Sequence, residues 1–173
     1  VAMEPLVKAA EGAGLTLHRC IDVSRDPIQT YLDAGKLGID TVLTSGGAGN
    51  CSAGKENIGK MIALRDAQGG PEVLIGAGVN AKVITAFRTE FPASRAFHMS
   101  GKTEIESGMR FRREGVPMGL PMASEFDRQY ASPAAVRAAI RYFHAPIPFE
   151  SEITGATINA TTAGRIPLNA AST

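Results

Sequence analysis

Polar and glycine-rich residues gather at four places in this 173-residue chain, each at the end of a short apolar run. The runs are Leu15 to Asp22, Thr41 to Gly46, Glu72 to Val79 and Ala96 to Ser100. They end in His18-Arg19-Cys20-Ile21-Asp22, Thr44-Ser45-Gly46-Gly47, Gly76-Ala77-Gly78-Val79 and His98-Met99-Ser100-Gly101. A histidine beside an aspartate can move a proton near neutral pH, because imidazole titrates there and a carboxylate fixes its tautomer. His18, Asp22 and His98 are therefore the candidate acid/base set, with Asp22 orienting a histidine or a substrate hydroxyl. A glycine turn that opens onto a helix offers an anion bare amides and the positive end of the helix dipole. Gly76, Gly78 and Asn80 form such a loop, with Ser100 ahead of Gly101-Lys102 beside it. Arg19, Thr44, Ser45 and Gly46 complete a rim. Plainer readings stand next to these: a core His–Asp hydrogen bond, and glycines that a tight turn requires.

The elements that must hold these residues alternate strand with helix. Asp26-Pro27 is a cap followed by a first-turn proline, so a helix is predicted over Ile28 to Leu37, stopping at Gly38. Further helices are predicted from about Ala53 to Ala67, from Ala81 to Arg88 behind the N-cap Asn80, and from Ser132-Pro133 to His144. Glu4 to Glu11 reads as the last turns of a helix closed by Gly12 and Gly14. The strands between are β-branched and short, as in a buried parallel sheet. Together they predict an α/β fold of parallel (β/α) repeats, about four strands of a TIM-type barrel, whose chemistry collects at the carboxyl ends of the strands.

Period two puts Leu17 and Ile21 on one face of the first strand and Thr16, His18, Cys20 and Asp22 on the other. Arg19 then points to the helix layer, unless the strand bulges or the guanidinium meets a carboxylate near the rim. Lys102 to Asp127 reads as a long loop of the kind used as a lid, with Met118 and Met122 packing it down. Residues 1–145 are expected to form the (β/α) unit and 146–173 an irregular, loosely packed tail.

Composition excludes several functions. The 18 basic and 17 acidic side chains leave a net charge of +1, and Arg110-Phe111-Arg112-Arg113 is the one dense basic cluster, so a nucleic-acid partner is not expected. No apolar stretch is long enough to span a bilayer, and the first residues lack the features of a secretory leader, so no membrane partner and a cytoplasmic location are expected. Two cysteines are too few for a disulfide framework.

Residues Leu15 to Asp22, Asp26-Pro27, Val42 to Gly46, Gly76 to Val79 and Phe97 to Ser100 match, in order and spacing, a pattern that resembles the CutC family. That family reads F-H-R-A-F-D, L-T-S-G, a G-A/G-G-V loop and V/F-H-S-S, and the likeness covers about Met3 to Phe143. Cys20, Ile21 and Met99 depart from it. The resemblance implies a (β/α)₈ barrel of about 250 residues, of which this stretch would be strands five to eight. It also places the Gly76 loop and Ser100-Gly101-Lys102 where phosphate-binding barrels hold their anion. A half barrel exposes its edges, so a homo-oligomer or a missing barrel half is the expected partner.

CutC proteins have long been described as copper homeostasis proteins, which implies copper as a ligand and a role in copper tolerance. Cu(I) favours thiolate and thioether, with imidazole acceptable, and Cys20 and Cys51 are the candidate metal residues. No pair of them has a spacing such as C-x-x-C. The alternative is a TIM-barrel enzyme acting on a small anionic or phosphorylated metabolite through the strand-end histidines and Asp22.

Overall fold

The computed structural model describes residues 2–113, 115–116 and 126–145. Four parallel strands lie in sequential order: β1 (Thr16–Leu17), β2 (Thr41–Thr44), β3 (Glu72–Ile75) and β4 (Ala96–Phe97). Thr16 faces Thr41, Val42 faces Val73, and Ile75 faces Phe97. This register lines up Leu17, Val42, Val73, Ile75 and Phe97 on one face. Helices α2 (Pro27–Lys36), α3 (Lys55–Gln68) and α4 (Ala81–Glu90) are the crossovers that cover it. The predicted α/β fold of parallel (β/α) repeats is what the sheet shows.

Each crossover helix has a local cause. Asp26 Oδ1 accepts from the amides of Ile28 and Gln29, and Pro27 fills the first position of α2. Asn80 Oδ1 accepts from Val83 N at the start of α4. In α3, Ile58, Met61, Ile62 and Arg65 fall at helical spacing and are all buried. The three apolar ones join Tyr31, Val42, Val73, Ile75 and Phe87 in one core, each burial contributing roughly 2 kcal/mol. Tyr31 is anchored at its far end, where its hydroxyl donates to Pro71 O at 2.5 Å. Burial pushes that phenol up to about 12, so it stays a donor.

Arg65 has a place that no local pattern assigns. It is buried below the amino edge of the sheet, where Nη1 donates to Glu72 Oε1 (2.6 Å), Nε to Asp66 Oδ1 (2.9 Å) and Nη2 to Ala93 O (2.7 Å). A buried cation is tolerated here because every edge of the guanidinium is occupied.

Three expectations change. The first strand, predicted to reach Asp22, ends at Leu17, and Arg19–Val23 is a 3₁₀ helix. The predicted lid does not begin as a loop: β5 (Lys102–Glu106) pairs antiparallel with β6 (Asp127–Ala131), with Thr103 opposite Tyr130. Met118, Met122 and residues 146–173 lie outside the described residues. Helix α1 (Glu4–Ala9) stops before Glu11, and α5 (Pro133–His144) packs on α4, capped by Ser132 Oγ accepting from Ala135 N. Among the described residues, no helix is long and apolar enough to cross a membrane.

Candidate functional site at the carboxyl edge of the sheet

The ends of the four strands meet at one edge because all four run the same way. The 3₁₀ helix after β1 decides which side chains face each other there. Ile21 turns into the core and is fully buried, which pulls the chain out of extended register. A 3₁₀ helix has three residues per turn, so positions i and i+3 eclipse. Arg19 and Asp22, which a strand would send to opposite faces, are thereby stacked, and Nε donates to Oδ2 at 2.7 Å. His18 caps this turn: its Nδ1 accepts from Cys20 N at 2.9 Å. The expected alignment of His18, Cys20 and Asp22 along one strand face is therefore not formed.

Asp22 is the hub. Oδ1 accepts from Thr44 Oγ1 (2.6 Å), Ser45 N (3.0 Å) and Gly47 N (3.0 Å). Oδ2 accepts from Arg19 Nε and from Ser45 Oγ (2.9 Å). Burial by itself would raise this carboxyl, whose side chain is 5% exposed. The hydrogen bonds from Thr44, Arg19, Gly47 and Ser45 outweigh it and hold the group down at about 2. With its lone pairs filled, Asp22 has no capacity left for a histidine or a substrate hydroxyl, and its partners are those residues rather than His18.

The loop after β2 closes around this hub. Thr44 and Ser45 are fully buried. Thr44 Oγ1 also accepts from Gly46 N (2.8 Å), and Ser45 Oγ receives Arg19 Nη2 (2.7 Å) while lying 2.6 Å from Ala48 O. Gly46 and Gly47 have φ of +76° and +75°. Asn57 Nδ2 ties Gly46 O to α3 at 3.0 Å. Ala48, Gly54 and Asn57 are site components that sequence reading missed. The only signal for Gly54 is a glycine ahead of a helix that has no side-chain cap.

The loop after β3 adjoins it, since Cys51 N donates to Ala77 O at 3.0 Å. Gly76 N extends the ladder to Thr44 O (2.9 Å). Ala77 sits at φ +69°, a left-handed conformation that costs a non-glycine residue about 1 kcal/mol or more. Gly78, at φ +83°, is exposed, and its amide and that of Val79 have no protein acceptor among the described residues.

At the end of β4, His98 N donates to Ile75 O (2.8 Å), and the His98 and Ser100 side chains are exposed. His18 and His98 follow the two outer strands. β2 and β3 lie between those two strands in the sheet. Of the cysteines, Cys20 is exposed and Cys51 is fully buried, where burial pushes its thiol up. Among the described residues, no group of three or more His, Cys, Asp and Glu could hold a metal ion.

Known proteins carry the same stretch. The CutC family model matches residues 1–103. A CutC family protein of Bacteroides fragilis is 34% identical over 140 residues, covering 80% of this chain and 54% of its own length. One from Klebsiella pneumoniae is 34% identical over 135 residues, 78% of this chain and 53% of its own. One from Xanthomonas campestris is 41% identical over 104 residues, 60% and 42% respectively. The chain thus spans about half the length of the curated relatives it matches. The matched residues 1–103 include all four parallel strands, the Asp22 hub and the rim as far as Ser100, and on that ground the chain belongs to the CutC family.

Proposed function

We propose that the carboxyl edge of the sheet binds a small anionic metabolite. Arg19 is its cationic group, the Gly76 to Asn80 loop supplies amide donors, and His98, with Ser100 close in sequence, is the acid/base group. One observation carries this reading: the Arg19 side chain is fixed along one edge by Asp22 and Ser45, yet remains 44% exposed. A guanidinium held in place before the ligand arrives loses little entropy on gripping an oxyanion. His98 supports the acid/base role because its imidazole bonds to no protein group among the described residues. His18, by contrast, uses Nδ1 as a helix cap. In a calorimetric screen of small metabolite acids, Arg19→Gln is expected to weaken binding about tenfold, or about 1.4 kcal/mol. Undiminished affinity would remove Arg19 from the site.

A second reading comes from the CutC family: copper handling or copper tolerance in the cytoplasm, with copper as cargo. The exposed thiol of Cys20, two residues after His18, supports it, since thiolate and imidazole both suit copper. Of the two thiols Cys20 is the stronger donor, because Cys51 is fully buried and burial pushes its thiol up, disfavouring the thiolate that copper takes. In an anaerobic Cu(I) titration against a competing chelator, Cys20→Ser is expected to abolish tight uptake and Cys51→Ser to preserve it. Uptake unaltered by Cys20→Ser would dismiss a thiol-based site.

The outer edges of β1 and β4 pair with no strand among the described residues. Together with the half-length match to relatives, this supports association with a second copy or with the other half of a barrel. Sedimentation equilibrium of the chain is expected to return a mass above 18.1 kDa. A monomer at every concentration would refute self-association.

A further inference from the structure

Resting on the anion-binding reading, the donors and acceptors around Arg19 narrow the ligand class further. A guanidinium has five N–H donors in a fixed plane. The edge formed by Nε and one hydrogen of Nη2 is taken by Asp22 Oδ2 and Ser45 Oγ, each at 2.7 Å. Nη1 has no protein acceptor among the described residues, and the second contact of Nη2 is a 3.5 Å approach to Ala48 O. What remains open is the end of the fork, where Nη1 and Nη2 lie side by side. Two parallel donors there match two oxygens of one carboxylate or one phosphoryl group.

Charge separates those two ligands. Asp22 and Arg19 form an ion pair of zero net charge. The other members of the network, Thr44, Ser45, Gly47 and Ala48, add no cation. A phosphate dianion would bring this assembly to two negative charges beyond the pair, next to the Asp22 carboxylate, whereas a monocarboxylate would bring it to one. We infer that the rim takes a small monocarboxylate, gripped by the end of the Arg19 fork, with Asp22, Thr44 and Ser45 as positioning residues.

The test is a magnetic-resonance titration of the full chain carrying isotope-labelled arginine, with acetate and with inorganic phosphate as probes. It is run at mildly alkaline pH, where phosphate is mainly a dianion. Acetate is expected to shift the Arg19 Nε–H signal saturably, with a dissociation constant at least about threefold below that of phosphate. Asp22→Asn, which removes the neighbouring negative charge, is expected to reverse that order. Arg19→Lys keeps the charge but has no fork, and is expected to weaken acetate, followed by amide shifts of the rim, about fivefold while the spectrum stays dispersed. Phosphate binding the unmodified chain more tightly than acetate, an order that Asp22→Asn leaves intact, or acetate affinity surviving Arg19→Lys would each overturn the monocarboxylate inference and leave the anion site standing. If neither probe gives a saturable shift, the inference and the anion-binding reading fall together. Should Asp22→Asn fail to fold, the order in the unmodified chain and the Arg19→Lys result decide.

Discussion

Asp22→Ala lowers the stability of the fold by about 2 to 3 kcal/mol at neutral pH, the range for leaving buried hydrogen-bonding groups unpaired while the half-exposed Arg19 guanidinium turns to water. The loss is large because Asp22 is the common acceptor for Arg19, Thr44, Ser45 and Gly47. Removing it strands the buried Thr44 hydroxyl and two loop amides at once. The pH dependence follows from the carboxyl being held at about 2 against an ordinary value of 3.8. A depressed folded-state value means that the folded chain favours the ionised form. Its stabilising share is therefore complete above about pH 4 and is lost as pH falls through 3.8 toward 2. The share amounts to about 2 kcal/mol. Urea unfolding across this window should show the gap between the parent chain and Asp22→Ala narrowing as acid is added. Parallel curves would mean that Asp22 is not the hub of the rim.

Gly46→Ala has a comparable effect for a different reason. At φ +76° a side chain is strained by about 1 to 2 kcal/mol whatever surrounds it. Here a Cβ would also overlap the Gly54 carbonyl, and a Cβ on Gly54 would overlap Ser45 O. Backbone, not a flexible side chain, stands in the way, so the loop must open and release the Gly46 N to Thr44 Oγ1 bond with it. The expected cost is about 3 kcal/mol or more, a drop of roughly 10 °C in Tm for a chain of this size. Gly49→Ala is the control: no atom lies within 4 Å of the point its new methyl would occupy, and its φ is not in the positive range, so the change should stay within about 0.5 kcal/mol. Equal Tm values for the two variants would show that the close approach of the Gly46 and Gly54 backbones carries no stability. The glycines of this turn therefore answer the choice left open between turn geometry and anion cradle: Gly46 is there for packing.

Much of the framework was legible because local chemistry and tertiary role agree. The strand Glu72–Ile75 opens the run Glu72 to Val79, and α5 runs to His144 as predicted. Asp26, Asn80 and Ser132 each cap the helix they precede. In these segments the residue types that start or stop an element are the ones that then hold it. The β5–β6 hairpin was not legible, since Lys102–Glu106 pairs with a segment more than twenty residues later and both strands are exposed. Neither half carries an apolar alternation to announce it.

The alternation of strand with helix, the helix caps and the gathering of four polar strand ends at one edge were written in the chain, because apolar period and capping residues act over a few positions and fix each element where it stands. The partners within the rim came from packing. Leu15 to Asp22 suits a strand as well as a strand followed by a turn, and burying Ile21 selects the turn. That choice changes the local period from two to three, stacks Arg19 on Asp22, and directs the carboxylate to Thr44 and Ser45 more than twenty residues away instead of to His18. Such a pairing depends on where the second strand ends in space, which no local pattern encodes.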